Sequence, residues 1–131
     1  MSDQVIKKEP LLEVVELKKY FPIKRGFFKR VVGQVKAVDN LSLYIDEGET
    51  LGLVGESGCG KTTAGRSILK AIPPTSGKVM FRDPEMGKVD VAELENEDLI
   101  KVRRNMRMIF QDPYASLNPR MTLLDIVGAP M

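Results

Sequence analysis

The chain has 131 residues, 43% of them hydrophobic, which is enough for one domain with a packed core. Its 20 Lys and Arg against 18 Asp and Glu leave a net charge of +2, so overall charge makes no case for a nucleic-acid partner. The absence of histidine excludes every histidine-dependent mechanism, and the single cysteine, Cys59, excludes an internal disulfide and fits a reducing compartment.

Residues 1–10, MSDQVIKKEP, form a polar leader without the apolar core of a signal peptide. No apolar run approaches the roughly 18–20 residues needed to span a bilayer, so the expectation is a soluble, cytosolic chain. LLEVVELKKYF (11–21) predicts a strand, VVGQVKAVD (31–39) a second, and LSLYI (41–45) a half-buried third, with a turn at DEGE (46–49). TLGLVG (50–55) is a nearly continuous apolar run, the pattern of a strand buried on both faces. A helix starts near Gly60, carries Ile68 and Leu69 on one side, and stops before Pro73 and Pro74. GKVMF (77–81) reads as a strand, followed by a polar, acidic stretch. Asn96 is placed to cap a short helix with Glu97 and Asp98 in its first turn. MRMIF (106–110) is a further predicted strand, and TLLDIV (122–127) opens a helix. There is no internal repeat.

Residues 55–62, GESGCGKT, satisfy G-x-x-x-x-G-K-[ST], the phosphate loop. Surrounding phosphate oxygens with successive backbone N–H groups needs unusual backbone angles and close approach, which Gly55, Gly58 and Gly60 permit. Glu56, Ser57 and Cys59 contribute the intervening backbone, and Thr63 follows in the helix, whose N-terminus directs its partial positive charge at the same anion. Lys61 supplies a mobile full charge for the β- and γ-phosphates, and the Thr62 hydroxyl is a ligand for Mg²⁺. At ordinary residue frequencies an accidental match in a chain of this length has odds of roughly one in a hundred. The position between an apolar run and a helix is the context the motif requires. Cys59 reads as a small side chain tolerated in the loop, since no histidine exists to activate it.

The loop alone leaves GTPases, kinases, helicases and transporter motors open. MRMIFQDPYASLNPRMTLLDIV (106–127) resembles the Q-loop region of ABC transporter ATP-binding subunits. Taking MIFQD as a metal-binding strand ending in Asp fails, because Gln111 intervenes between Phe110 and Asp112. VGQVKAVDNLSLYIDEGETLGLVGESGCGKTTAGRSIL and FQDPYASLNPRMT are similar to the oligopeptide, dipeptide and nickel importer branch, over about residues 11 to 128. The resemblance implies an α/β fold: an N-terminal antiparallel β-subdomain beside a P-loop NTPase core, over residues 11–131, truncated at the start of a helical subdomain. It implies that Gln111 ligates Mg²⁺ and contacts the attacking water. It also implies that an aromatic near the first strand stacks on adenine, with Tyr20 the best match and Phe21 the alternative. An ordinary strand aromatic packed in the core is the competing reading of Tyr20.

The implied ligands are ATP and Mg²⁺. The implied partners are a second ATP-binding subunit in a head-to-tail dimer, transmembrane permease subunits and, indirectly, a solute-binding protein. The implied location is the inner face of the cell membrane. Between Lys18 and Lys36 lie seven basic residues and no acidic one, with Phe27 and Phe28 at a predicted hairpin tip. Such a tip suits an anionic membrane or acidic partner loops, but charge runs are more often solvated faces, and that reading is preferred.

Parts of the family pattern are missing. After residue 111 there is no LSGGQ-like signature, no apolar strand ending in Asp-Glu and no switch histidine, and Ile126 stands where LLDI would need the catalytic Glu. The expectation is the amino-terminal portion of a subunit more than twice as long, inactive by itself. Two alternatives stay open: an accessory ATPase of the carbon–phosphorus lyase type, and a nucleotide-binding fragment without turnover.

Overall fold

The computed structural model describes residues 9–26, 30–110 and 120–128. Strands β1 (Leu12–Arg25), β2 (Arg30–Ile45), β3 (Ser76–Asp83) and β4 (Gly87–Asp90) form one antiparallel sheet in the order β2-β1-β3-β4. The helices are α1 (Lys61–Ile68), α2 (Asn96–Asn105) and α3 (Leu123–Gly128). Among the described residues no helix is long and apolar enough to cross a membrane.

The antiparallel subdomain expected at the N-terminus is present. Alternation along β1 and β3 places Leu12, Val14 and Phe81 on the core side, with Val14 directly opposite Val79. Leu17, Val91 and Val102 complete this cluster, so α2 docks on the sheet through Val102. Two residues in the left-handed region bend the long ribbon. Glu16 (φ 48) is the extra residue of a bulge in β1, its N–H donating to Ser42 Oγ at 2.9 Å. Asn40 (φ 58) lies at a second bulge. That bulge is why 31–39 and 41–45, expected as two strands, are one: asparagine tolerates the conformation without ending the ladder.

The acidic stretch after β3 contains an element not foreseen, β4, four residues long and too short for periodicity to reveal. Asp83 builds the turn into it. Its carboxylate accepts from the N–H groups of Glu85 (2.9 Å) and Met86 (3.0 Å), and from Asn105 Nδ2 (2.8 Å) at the end of α2. Only 3% exposed, Asp83 is held below the usual carboxylate range, first by Asn105 and then by the Met86 N–H. Asp83→Ala should therefore destabilise the fold by about 2–3 kcal/mol at neutral pH. The folded value lies below the unfolded value of about 3.9, so this stabilisation is complete above that pH and is lost as pH falls through the folded value. Urea denaturation at pH 7 and at pH 3 should show the gap between wild type and variant shrinking in acid.

In α2 the cap position is Glu95, in extended conformation, and Asn96 is the first helical residue with φ 50; the expected Asn96 cap is not formed. Glu97 and Asp98 do occupy the first turn, with Arg103 and Arg104 in the last, as the helix dipole favours. Arg103 Nη2 donates to Lys70 O at 2.8 Å, tying α2 to the end of α1. The expected helix at 122–127 is α3, opened by a reciprocal capping box. Asp125 N–H donates to Thr122 Oγ1 (3.2 Å), and Thr122 N–H donates back to Asp125 Oδ2 (3.2 Å).

Two expected strands are not formed. Residues 50–55 and 106–110 carry no ladder, and Val54 and Ile109 are 95% and 96% exposed. A strand apolar on both faces needs paired edges and covered sides, and among the described residues no strand pairs with either run. Phe27 and Phe28 lie outside the described residues.

Candidate functional site

The phosphate loop runs from residue 55 into the first turn of α1. Gly60 sits at the helix start in the left-handed region (φ 94, ψ 2), with no side-chain cap bond. The first intrahelical bond is Ala64 N–H to Gly60 O at 2.8 Å. The N–H groups of Lys61, Thr62 and Thr63 therefore have no acceptor within the helix. No acidic residue occupies that first turn to compete with an anion. Gly58 (φ 82) is the second loop position requiring glycine geometry.

What backs the loop is β2. The ladder carries an irregularity where Lys19 faces Val38 and Tyr20 faces Lys36, leaving Ala37 as the extra residue. A Cβ on Gly60 would stand 2.0 Å from the Ala37 carbonyl oxygen, so the loop and strand touch backbone to backbone. Clefts of about 540 and 430 Å³ open on either flank of the loop. Lys36, Ala37, Cys59, Gly60 and Lys61 line both. Thr62 and Thr63 line the smaller one.

Lys61 reaches back over its own loop. Its Nζ donates to Gly55 O (2.5 Å) and Glu56 O (2.6 Å), and lies 3.4 Å from Cys59 Sγ. The ammonium thus braces the loop and sits at its mouth. Gly55, Glu56, Ser57, Gly58, Cys59, Gly60, Lys61, Thr62 and Thr63 form one continuous unit. Gln111 lies outside the described residues.

Tyr20 lines neither cleft but is one contact away. Its hydroxyl donates to Asp39 Oδ1, and Lys36 Nζ stands 5.3 Å from its ring centroid. Lys36 Nζ is also 3.2 Å from Asp39 Oδ2. The Tyr20 hydroxyl, then Lys36, holds the Asp39 carboxyl below its ordinary range, and the same hydrogen bond raises the Tyr20 phenol. Phe21 faces Val35 across the ladder and its ring lies under Lys19 Nζ at 5.0 Å. By sequence Lys36 stood out only as the end of a basic run and Ala37 and Asp39 only as strand residues, and no local signal marks a contact across 23 positions from Ala37 to Gly60.

A family model described as ABC transporter matches residues 38–126. The chain belongs to the ABC transporter family. It is 52% identical over 124 residues to the oligopeptide transport ATP-binding protein AppF of Bacillus subtilis, covering 94% of this chain and 36% of that protein. It is 44% identical to the oligopeptide transport ATP-binding protein OppF of Salmonella typhimurium, covering 100% of this chain and 38% of that one. Against the dipeptide transport ATP-binding protein DppF of Haemophilus influenzae the identity is 40%, with the same coverages. The chain thus spans a little over a third of the length of the curated relatives it matches. Among solved structures it superposes on the dimeric bacterial ABC transporter cassette MJ0796 with a TM-score of 0.66 at 27% identity, covering 91% of this chain and 46% of that one. The post-hydrolysis state of the same cassette bound to ADP and Pi gives 0.66 at 28% identity, with the same coverages. The described sheet is the antiparallel part of that family's fold.

Proposed function

We propose that residues 55–63 bind ATP with Mg²⁺, and that a whole subunit containing this chain hydrolyses ATP to drive import of peptides or a related small solute. The observation that carries this reading is the loop itself: Lys61 Nζ held over the Gly55 and Glu56 carbonyls, three helix-start N–H groups without an acceptor in the helix, and Gly60 pressed onto Ala37. These groups fit a polyphosphate. Thr62 would hold Mg²⁺ through its hydroxyl, with Gln111 as a second ligand. The metal supplies charge neutralisation on the phosphate oxygens, while this chain's N–H groups and Lys61 orient them.

The partners in this reading are a second ATP-binding subunit packed head-to-tail, transmembrane permease subunits on the inner face of the membrane and, through them, a solute-binding protein. Relatives named for oligopeptide and dipeptide transport favour this over a carbon–phosphorus lyase accessory role. The chain lacks the signature, the catalytic carboxylate and the switch histidine. By itself it should release phosphate orders of magnitude more slowly than a complete subunit.

Tyr20 is the adenine platform in this reading, one residue from both clefts. Tyr20→Ala should weaken ATP about five- to a hundred-fold, the range of base–aromatic stacking, and leave inorganic triphosphate nearly unchanged. Competition titrations against a fluorescent ATP analogue measure both. Equal weakening of the two ligands would remove the stacking role, and failure of the wild-type chain to bind either would remove the nucleotide reading.

A further inference from the structure

Lys36, a basic residue lining both clefts beside the phosphate loop, has no role among those assigned above. We propose that Lys36 is a second cation for the nucleotide's phosphate chain, parked against Tyr20 by Asp39 until the ligand arrives; this rests on the nucleotide reading above.

Lys36 lines both clefts flanking the loop, together with Lys61, Cys59 and Gly60. Its strand is the one whose Ala37 carbonyl touches Gly60, so the bulge that seats the loop also fixes where Lys36 starts. An ordinary solvated strand lysine does not border the same two clefts as the loop lysine.

Its present contacts are ones a ligand can displace. The Lys36–Asp39 pair is an i,i+3 contact at 3.2 Å with the two side chains 60% and 45% exposed, and such pairs hold weakly. The ring of Tyr20 at 5.3 Å adds a cation–π contact, also on the surface. Asp39 has a second partner in the Tyr20 hydroxyl, so the carboxylate stays hydrogen-bonded after Lys36 leaves. A triphosphate keeps net negative charge even with one Mg²⁺. Lys61 and about half a positive charge at the start of α1 are otherwise what meets it. A flexible ammonium adapts to that charge more readily than to the apolar face of a base.

The experiment titrates wild type, Lys36→Gln and Lys36→Arg with ATP and with inorganic triphosphate, in the presence of Mg²⁺, at low and at physiological salt. The exposed position makes both substitutions compatible with the fold, which circular dichroism verifies. Lys36→Gln should weaken ATP and triphosphate alike, by about tenfold, and reduce the salt dependence of both. Lys36→Arg should restore most of the affinity, because it keeps the charge. Loss of ATP affinity alone, with triphosphate unchanged, would make Lys36 a prop for Tyr20 and overturn the proposal. Unchanged binding of both ligands by Lys36→Gln, beside a wild type that binds, overturns it equally. A wild type that binds neither ligand overturns the nucleotide reading beneath it.

Discussion

Gly60→Ala should lower affinity for a fluorescent ATP analogue by at least about a hundredfold, with the far-UV circular dichroism of the sheet retained. The effect is steric before it is electrostatic. At φ 94 the residue lies in a region that L side chains rarely adopt. The added methyl would also stand 2.0 Å from the Ala37 oxygen and 3.2 Å from its carbonyl carbon. β2 is held by its ladder to β1, so the loop is the part that moves. Displacing it takes the N–H groups of Lys61, Thr62 and Thr63 away from the anion. Losing two charge-assisted bonds of about 1.5 kcal/mol each already exceeds a hundredfold. Gly65→Ala is the control: nothing lies within 4 Å of its added carbon, and the helix gains up to about 1 kcal/mol. Wild-type binding by Gly60→Ala would remove the loop from the site.

Lys61→Ala should weaken ATP about ten- to a hundred-fold, the loss of one charge-assisted contact of about 1.5–3 kcal/mol. Its effect on the melting temperature should be small by comparison. The carbonyls of Gly55 and Glu56 that Lys61 now braces are at the surface, where water replaces the ammonium. The same titration and a thermal melt separate the two effects. Unchanged affinity in a folded Lys61→Ala protein overturns the assignment of Lys61. An arginine there is no substitute, since its planar fork does not match the contacts that a compact ammonium makes with the loop.

The local chemistry was legible in the sequence because it is written in adjacent residues. GESGCGKT must have its glycines, lysine and threonine in one turn to surround a phosphate, and spacing alone carries that. α1, α3, β1 and β3 were legible for the same reason: their periodicity, caps and proline stops act within a few residues. The two short apolar runs 50–55 and 106–110 show the reverse. Their composition is right for buried strands, but strand formation is a property of neighbours, and among the described residues none pairs with them. Only the tertiary structure decided that Asn40 bends a strand instead of ending it, that Asp83 fastens α2 to the β3–β4 turn, and that Ala37 backs Gly60. It also decided the setting of Tyr20, which shares Asp39 with Lys36, the lysine that lines both clefts. Each of these joins residues that are distant in the chain through hydrogen bonds or backbone contact. A one-dimensional pattern holds no record of such pairings, because packing chooses them after the local elements exist.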